Sequence, residues 1–498
     1  MEPFGVYRKN NMAVDTIQEA SVWGVNENGA VVLQADTAGT SNVVGYINSS
    51  QVPQDVNTNK MVVKLPAEIP TVSSNGYAVV DGSGTAHPFV PRKLTGNIGR
   101  RKFAGRLGSV NNTTASTYQV TCALSQGFDA IRIVLVNNDS ANSYYVGGAK
   151  VSVIANTSDL NNSAGTWVSA TKNGQAAFPV NVAKTAGSNR PLFMKTDSIP
   201  ISSLNRDDGG VFPLLVARVY VITATATLSA YGNGTDDFTN WATKPDGRIW
   251  AARSQTGDCV TTPSTFTSTV NQSQSPIVAI EYLARGQVVN VESFGDSITE
   301  GRGDTSDPLN YLEEGFVLPA CNQITNNSGI VVEYSNSGWS GQSMTGVNGF
   351  QNRLLDTLDS DMVPDVVVFP SASPNDVSTA ITAAQITAFA AARENMIASC
   401  KKALVVPVIW TWLPSNTSVK TYAATDSLRL ADNASVLAMA SKGVLTADTS
   451  SAISGVVDGT GQVQMAAGTT TDGIHPNRSA NATLTAVLVP SLTQAIKG

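Results

Sequence analysis

The pattern of apolar residues changes near residue 286, and this change constrains the fold more than any other feature of the sequence. Before it, short apolar runs such as YQVTCAL and DAIRIVLVNN are separated by polar turns, which is typical of antiparallel β-structure. After it, the apolar runs VVNVESF, IVVEYS, DVVVFP and LVVPVIW are separated by helical segments, including an Ala-rich stretch at 381–403. Alternating strands and helices predict a parallel sheet covered by helices on both faces.

The length of 498 residues exceeds what one hydrophobic core usually holds, so we predict a multidomain protein. Residues 1–110 are predicted to form a small β-rich N-terminal module. Residues 111–285 are predicted to form a β-sandwich accessory domain of jelly-roll type, because long polar connections such as NTSDLNNSAGTW favour a sandwich over a simple meander. Residues 286–498 are predicted to form a three-layer α/β/α domain.

The charge of the chain argues against a nucleic-acid partner. Its net charge is −6 with 14% charged residues, whereas phosphate binding needs a basic surface. The one basic run, Arg100 to Lys102, is interpreted as a solvated loop. No apolar stretch approaches the roughly 18 residues that span a bilayer. The N-terminal segment MEPFGVYRKNNMAVD lacks the apolar region of a secretory signal.

The cysteines and histidines give no sign of a metal site. The four cysteines are far apart and lack CxxC spacing, so we interpret them as buried free thiols. Disulfides between Cys122 and Cys259, and between Cys321 and Cys400, remain alternatives. Two histidines cannot build a His-rich metal centre, and we expect no metal or organic cofactor.

Three polar clusters follow predicted strands, at the edge where α/β sheets place their functional groups. Ser297 in FGDSITEG follows VVNVES at a strand-to-helix turn, although an ordinary N-cap serine would also fit there. Gly341 follows IVVEYS and would let the backbone approach a ligand, or it forms a tight turn. Asn375 in SASPND follows DVVVFP and offers an amide to a developing oxyanion, or it belongs to an ordinary loop. Each cluster alone is a weak signal.

The fourth cluster, Asp472-Gly473-Ile474-His475-Pro476, precedes the last predicted helix. The three-residue spacing lets the Asp472 carboxylate reach the His475 ring and fix its tautomer, which leaves the other ring nitrogen to take a proton. A helix-capping or solvated histidine is the alternative. His87, the other histidine, precedes a proline in the β-rich N-terminal region, and we interpret it as a turn residue rather than as the base.

Taken in order, GDSITEG, Gly341, the Asn375 in SPND and DGIHP resemble the sequence blocks of the SGNH, or GDSL-type, serine hydrolases. The resemblance covers roughly the last two-fifths of the chain. It implies a flavodoxin-like α/β/α domain with serine esterase activity and no cofactor. One departure bears on Asn375: family members usually carry Gly two residues before this Asn, where this chain has Ser373 followed by Pro374, which would tilt the loop.

The resemblance also implies a role for each motif residue. Ser297 would attack the ester, His475 would act as general base and then general acid, and Asp472 would orient His475. The oxyanion hole would comprise the N–H groups of Ser297 and Gly341 and the side chain of Asn375.

The expected substrate is an acyl ester, most simply an O-acetyl group on a polysaccharide. The predicted α/β domain shows no long apolar lid, and the preceding β modules resemble carbohydrate-binding or phage tail modules. Trp339, Trp410 and Trp412 are candidate sugar-stacking residues, with core packing as the alternative. Two other functions remain open: a lipid or thioester acyl hydrolase, or a glycan-binding virion tail protein with a relic hydrolase domain. We expect an extracellular or virion-associated protein, possible homo-oligomer assembly, and a trimer in the case of a tail protein.

Overall fold

The chain forms two compact units, Met1–Phe89 and Val90–Gly498, in a computed structural model. Within residues 1–97 the structure describes only the strands given below. In the rest of the chain it describes residues 98–103, 114–125, 127–137, 142–153, 166–181, 192–204, 214–222, 229–230, 250–268, 274–301, 315–346, 349–360 and 362–497.

The first unit is β-rich, as its short apolar runs predict. It holds two antiparallel sheets, with the strand orders β1-β2-β3-β4 and β5-β6-β7. The strands are β1 (Trp23–Val25), β2 (Val31–Leu33), β3 (Gly45–Ile47), β4 (Pro53–Gln54), β5 (Ile69–Ser73), β6 (Gly76–Val80) and β7 (Ala86–Phe89). The apolar run MVVKLP at 61–66 lies outside the described residues.

The second unit begins with antiparallel strands that form two larger sheets and one two-stranded sheet. The strands are β8 (Ile98–Lys102), β9 (Ser116–Ala123), β10 (Phe128–Asn137), β11 (Tyr144–Val153), β12 (Val168–Ser169), β13 (Phe178–Val180), β14 (Leu192–Lys195), β15 (Ile199–Pro200), β16 (Leu214–Ile222), β17 (Ser229–Ala230), β18 (Trp250–Thr256), β19 (Gln274–Ser275) and β20 (Ile277–Ala284). In the two-stranded sheet, β17 pairs with β19.

The two larger sheets share one core. One has the order β14-β10-β20-β8 with β15 beside β10, and the other has the order β12-β11-β16-β9-β18 with β13 beside β11. Ile133 and Ile280 of the first sheet and Val120 and Val219 of the second are fully buried in the same apolar cluster. Facing apolar surfaces of this kind bring antiparallel sheets together. The predicted jelly-roll connectivity stays a prediction, and so do the predicted ranges of the three modules.

The basic run Arg100 to Lys102 is not the solvated loop that we predicted from the sequence. It lies in β8, which pairs with β20 at the edge of the first of these sheets, and its three side chains are buried. Each pairs with a buried glutamate: Arg100 with Glu281 (3.0 Å), Arg101 with Glu333 (3.6 Å) and Lys102 with Glu292 (2.5 Å). β8 therefore belongs with the sandwich strands and not with the N-terminal module.

We expect Arg101→Met to lower the free energy of unfolding by about 3 kcal/mol, because it leaves the carboxylate of Glu333 buried without its cation. Both side chains are at most 1% exposed. Urea unfolding checks this prediction. Arg285→Ala, which removes an exposed partner of Asp129, is the matched control and should cost less than about 1 kcal/mol. Equal losses in the two variants would contradict a buried role for Arg101.

The C-terminal strands form the predicted parallel sheet, with the order β22-β21-β23-β24-β25. Its strands are β21 (Val288–Gly295), β22 (Val331–Gly338), β23 (Val366–Pro370), β24 (Val406–Trp410) and β25 (Leu445–Ala447), and a separate hairpin pairs β26 (Ser454–Val457) with β27 (Val463–Met465). The order 2-1-3-4-5 of the parallel sheet is that of flavodoxin-like folds, in which the crevice lies where the chain reverses direction between strands 1 and 3.

Helices cover both faces of this sheet. They are α1 (Ser297–Glu300), α2 (Val317–Ser328), α3 (Phe350–Leu358), α4 (Ala383–Lys402), α5 (Asp426–Ala438), α6 (Thr449–Ile453) and α7 (Arg478–Lys497). Leu318 of α2 and Leu484 of α7 pack with Val291 on one face. On the other face, Phe350 of α3 and Phe389 of α4 pack with Phe369. The parallel strands are buried between two helical layers, as their near-continuous apolar character requires.

The helix α2 begins at Val317. Residues 302–314 lie outside the described residues. Pro319 occupies the first turn of α2, where a backbone N–H has no acceptor within the helix, so proline is tolerated there. None of the helices in the described ranges combines the length and the apolar character needed to cross a bilayer.

All four cysteines are buried as free thiols. The sequence had left free thiols and two disulfides open, and the structure has the free thiols. Burial raises the pKa of Cys400 to about 12, so this thiol stays protonated at neutral pH.

Candidate active site

Ser297 lies at the carboxyl end of β21, at the first position of α1, and is 7% exposed. Asp296 is the N-cap of this helix and accepts a hydrogen bond from the N–H of Ile298 at 2.9 Å. The cap fixes the turn that follows the strand. The N–H of Ser297 lies in the first helical turn, where it has no acceptor within the helix and can donate to an anion.

His475 and Asp472 complete a hydrogen-bonded relay with Ser297, although 178 residues separate the serine from the histidine. Nε2 of His475 is 2.8 Å from Oγ of Ser297. Nδ1 of His475 is 2.5 Å from Oδ2 of Asp472. The side chain of His475 is 19% exposed, so the relay is open to a substrate at one side.

The tautomer of His475 follows from the state of Asp472. Burial acts to raise the pKa of Asp472, but hydrogen bonds from the His475 ring and from the N–H groups of His475 and Ile474 outweigh it and lower that pKa. An ionised carboxylate only accepts hydrogen bonds, so Nδ1 of His475 carries the proton. Nε2 is then free to accept the hydrogen of the Ser297 hydroxyl.

A glycine with positive φ holds the Asp472 turn in place. Gly473 has a φ of +82°, and a Cβ there would lie 2.9 Å from side-chain carbons of both Asn416 and Val419. Its carbonyl accepts a hydrogen bond from the N–H of Asn416 at 2.7 Å. The close packing and the left-handed conformation both require glycine at this position.

Gly341 lies in a tight turn after β22. The N–H of Gln342 donates to the carbonyl of Trp339 at 3.1 Å, and Gly341 has a φ of +77°, which suits the third position of a type II turn. Within the described part of the chain, the N–H of Gly341 has no hydrogen-bond acceptor. It is therefore available to a ligand.

Asn375 lies in a short 3-10 helix, Pro374–Asp376, after β23. Its side-chain amide donates to the carbonyl of Gln342 at 2.9 Å, next to Gly341, and its second N–H remains for another acceptor. Ser373 donates to Oδ2 of Asp296 at 2.5 Å. These bonds join the Asn375 loop to the turns of Gly341 and Ser297, so the structure brings the five predicted residues into one cluster.

Asp296 is the most deeply buried acid of this cluster, with no exposed surface. Burial raises its pKa, and hydrogen bonds from Ser373 and from the N–H of Ile298 partly offset that effect. Because an unpaired buried carboxylate is costly, these donors hold the turn before Ser297 in one conformation.

Two supporting residues were missed by the sequence analysis. Arg353 of α3 donates to the carbonyls of Ser337 and Gly295 and so ties together the ends of β22 and β21. Gln342 supplies the carbonyl that holds Asn375. Arg353 lies in α3, outside the sequence motifs, and no local sequence pattern marks it as part of the site. Gln342 is adjacent to Gly341 and could have been considered with it.

The three tryptophans proposed as sugar-stacking residues differ in their positions. Trp410 and Trp412 are buried and pack edge-on against Phe316 and Phe389, so for these two the alternative of core packing holds. Trp339 is half-buried beside the Gly341 turn, with the guanidinium of Arg353 5.6 Å from the centre of its ring.

The remaining candidates add nothing to this site. His87 lies in β7 of the first unit and not in the turn that we predicted from the sequence. Among the described residues, no group of three His, Cys, Asp or Glu side chains is arranged to hold a metal ion.

Solved structures of similar fold include GDSL proteins and acetylxylan esterases. A member of the lipolytic G-D-S-L family from Veillonella parvula is 18% identical, with 41% of this chain and 98% of that chain covered and a TM-score of 0.30. The acetylxylan esterase Axe2 from Geobacillus stearothermophilus is 16% identical, with 41% and 94% covered and a TM-score of 0.31.

One similar structure extends further along the chain. A family two carbohydrate esterase from Clostridium thermocellum is 12% identical, with 80% of this chain and 99% of that chain covered and a TM-score of 0.33.

No protein-family model and no curated protein sequence matches the chain.

Proposed function

We propose that this protein is a serine esterase that hydrolyses acyl esters through Ser297, His475 and Asp472. The observation that carries the proposal is the continuous relay from Asp472 through His475 to the Ser297 hydroxyl, with contacts of 2.5 and 2.8 Å. A nucleophile within hydrogen-bonding reach of a base, with a third group orienting that base, is the arrangement that activates a serine hydroxyl.

In the first half of the reaction, Oγ of Ser297 attacks the ester carbonyl carbon and its proton passes to Nε2 of His475. The carbonyl oxygen becomes an oxyanion, which the N–H groups of Ser297 and Gly341 and the free N–H of the Asn375 amide can stabilise. Collapse of this intermediate breaks the bond to the alcohol oxygen. That oxygen takes the proton from Nε2 and leaves as the alcohol.

In the second half, water attacks the acyl group on Ser297 and gives its proton to the same nitrogen of His475. The second tetrahedral intermediate breaks the bond to Oγ, which recovers the proton. The acid product leaves and the relay returns to its starting state. Asp472 stabilises the imidazolium form of His475 in both halves without taking up a proton.

We expect Asn375→Ala to lower kcat by about 100-fold, because losing one oxyanion donor typically costs at least that much. Ester hydrolysis by the purified variant measures the effect. Glu394→Gln, an acid-to-amide change on the exposed face of α4, should keep full activity. If Asn375→Ala kept the wild-type kcat, the Asn375 amide would not be a donor of the oxyanion hole.

The substrate class that we propose is an O-acetyl group on a polysaccharide. Trp339 supports it, because a half-buried indole beside the oxyanion turn offers a face on which a sugar ring can stack. The side-chain amide of Asn375, which has a second N–H to donate, also suits a hydroxyl-rich ligand better than an alkyl chain.

We expect kcat/KM for p-nitrophenyl acetate to be about tenfold or more above that for p-nitrophenyl octanoate. The longer acyl chain needs an apolar pocket for its additional methylene groups, and a site for acetyl groups would not provide one. Acetate release from a panel of acetylated polysaccharides then identifies the glycan. A preference for the octanoate would favour a lipid hydrolase. Failure of a fluorophosphonate to label Ser297 would favour a binding protein with a relic domain.

The homo-oligomer, the trimer of a tail protein, and the extracellular or virion-associated location stay predictions. They rest on the polar, β-rich composition of the first 285 residues.

A further inference from the structure

Ser373 lies where three segments of the site meet. Its side chain is fully buried. The hydroxyl lies 2.5 Å from Oδ2 of Asp296 and 3.1 Å from the carbonyl oxygen of Gln342, and it accepts a hydrogen bond from the N–H of Asn375 at 3.2 Å. A single hydroxyl therefore contacts all three segments.

Each of these segments carries one donor of the proposed oxyanion hole. Asp296 directly precedes Ser297, and Gln342 directly follows Gly341. Asn375 is itself the third donor, and its amide is held by the same Gln342 carbonyl. The position of Ser373 is thus coupled to the N–H of Ser297, the N–H of Gly341 and the amide of Asn375.

We propose that Ser373 is a positioning residue, whose hydroxyl fixes the three oxyanion donors relative to one another. The inference rests on the proposed esterase function, and it assigns a role to the position where this chain departs from the glycine usual in similar sequences. Ser373 does not contact the reacting atoms, so it acts through the donors.

The physical reason is the buried carboxylate of Asp296. Its buried oxygens need hydrogen-bond partners, because a buried acceptor without a partner costs about 1–3 kcal/mol. Ser373 supplies one donor from outside the Ser297 turn, which holds the Asn375 loop against that turn. Pro374 restricts the backbone next to it, and the Ser373 hydroxyl caps the short helix that carries Asn375. Without the hydroxyl, the loop loses the bond that sets its distance from Ser297.

The test compares Ser373→Ala with Ser371→Ala. Ser371 is also fully buried and lies two residues earlier, but among the described residues its hydroxyl has no hydrogen-bond partner. With p-nitrophenyl acetate, we expect Ser373→Ala to lower kcat about 10- to 100-fold, because small misplacements of catalytic groups have effects of this size. KM should change by less than about threefold, since the loss is confined to the transition state.

A second measurement reports on the oxyanion hole without turnover. Phenylboronic acid forms a tetrahedral adduct with an active-site serine and so mimics the intermediate. Its dissociation constant should rise in Ser373→Ala by about the same factor as kcat falls, because both depend on the same donors. Ser371→Ala should match the wild type in both measurements, with thermal midpoints recorded for all variants.

Several outcomes would overturn the inference while leaving the esterase function intact: a wild-type kcat in Ser373→Ala, an equal loss in Ser371→Ala, or unchanged boronate binding. If Ser373→Ala does not fold, Ser373→Cys replaces it. A thiol is a weak donor, so kcat should still fall several-fold, and a wild-type value would again overturn the inference. A wild-type protein that hydrolyses no ester and takes no fluorophosphonate label would instead refute the proposed function itself.

Discussion

Ser297→Ala is expected to abolish ester hydrolysis, with kcat lowered by about 10⁶-fold, the effect of removing the nucleophile from a serine hydrolase relay. The substitution removes the atom that forms the acyl intermediate, and His475 then has no hydroxyl proton to take. Hydrolysis of p-nitrophenyl acetate and labelling by a fluorophosphonate both measure the loss.

The matched control for this prediction is Ser435→Ala. Ser435 is exposed on α5, and its hydroxyl donates to the carbonyl of Ala431 within the same helix. Both variants should keep the fold, as judged by circular dichroism, but only Ser435→Ala should keep activity. Wild-type turnover in Ser297→Ala would refute the mechanism.

Asp472→Asn is expected to lower kcat by about 10⁴-fold with little change in fold. The Asn oxygen can still accept from the N–H groups of Ile474 and His475, which bond Oδ1 at 3.0 and 2.8 Å. The Asn amide would then face Nδ1 of His475 and donate to it. That bond selects the tautomer with the proton on Nε2, which cannot accept the proton of Ser297.

The pH dependence adds a further check on Asp472. Its pKa is lowered, so the carboxylate stays ionised through neutral and mildly acidic pH and is neutralised only as the pH falls below the ordinary range of an aspartate. A loss of wild-type activity on mild acidification would therefore not come from protonation of Asp472. If Asp472→Asn kept more than about a tenth of the wild-type kcat at every pH, the role of Asp472 in fixing the tautomer would be wrong.

The sequence predicted the C-terminal architecture well, because each strand and helix there is marked by local periodicity. The runs VVNVESF and DVVVFP form β21 and β23. Ser297 and Asn375, which follow these strands, lie at the expected edge of the sheet. Asp472 and His475 could be paired from sequence, since three residues separate them. These features depend on neighbours within one turn or one strand.

The features that the sequence did not predict depend on partners far along the chain. Arg101 is buried because Glu333, 232 positions later, faces it in the fold. Likewise, Ser373 was noted as a departure from a motif, but its partner Asp296 lies 77 positions earlier. Trp410 and Trp412 could not be separated from Trp339 by residue type, because only burial distinguishes a core indole from one at a rim. In each case the deciding contact is tertiary.

The burial of β8 determines where the catalytic part can be cut from the chain. A fragment starting at residue 286 would contain every motif, but Glu292 and Glu333 would lose their buried partners Lys102 and Arg101. We therefore expect a fragment that starts at residue 286 to be less stable than one that starts upstream of Ile98. A fragment that keeps the candidate active site should include the sandwich strands, because β8 pairs with β20 among them.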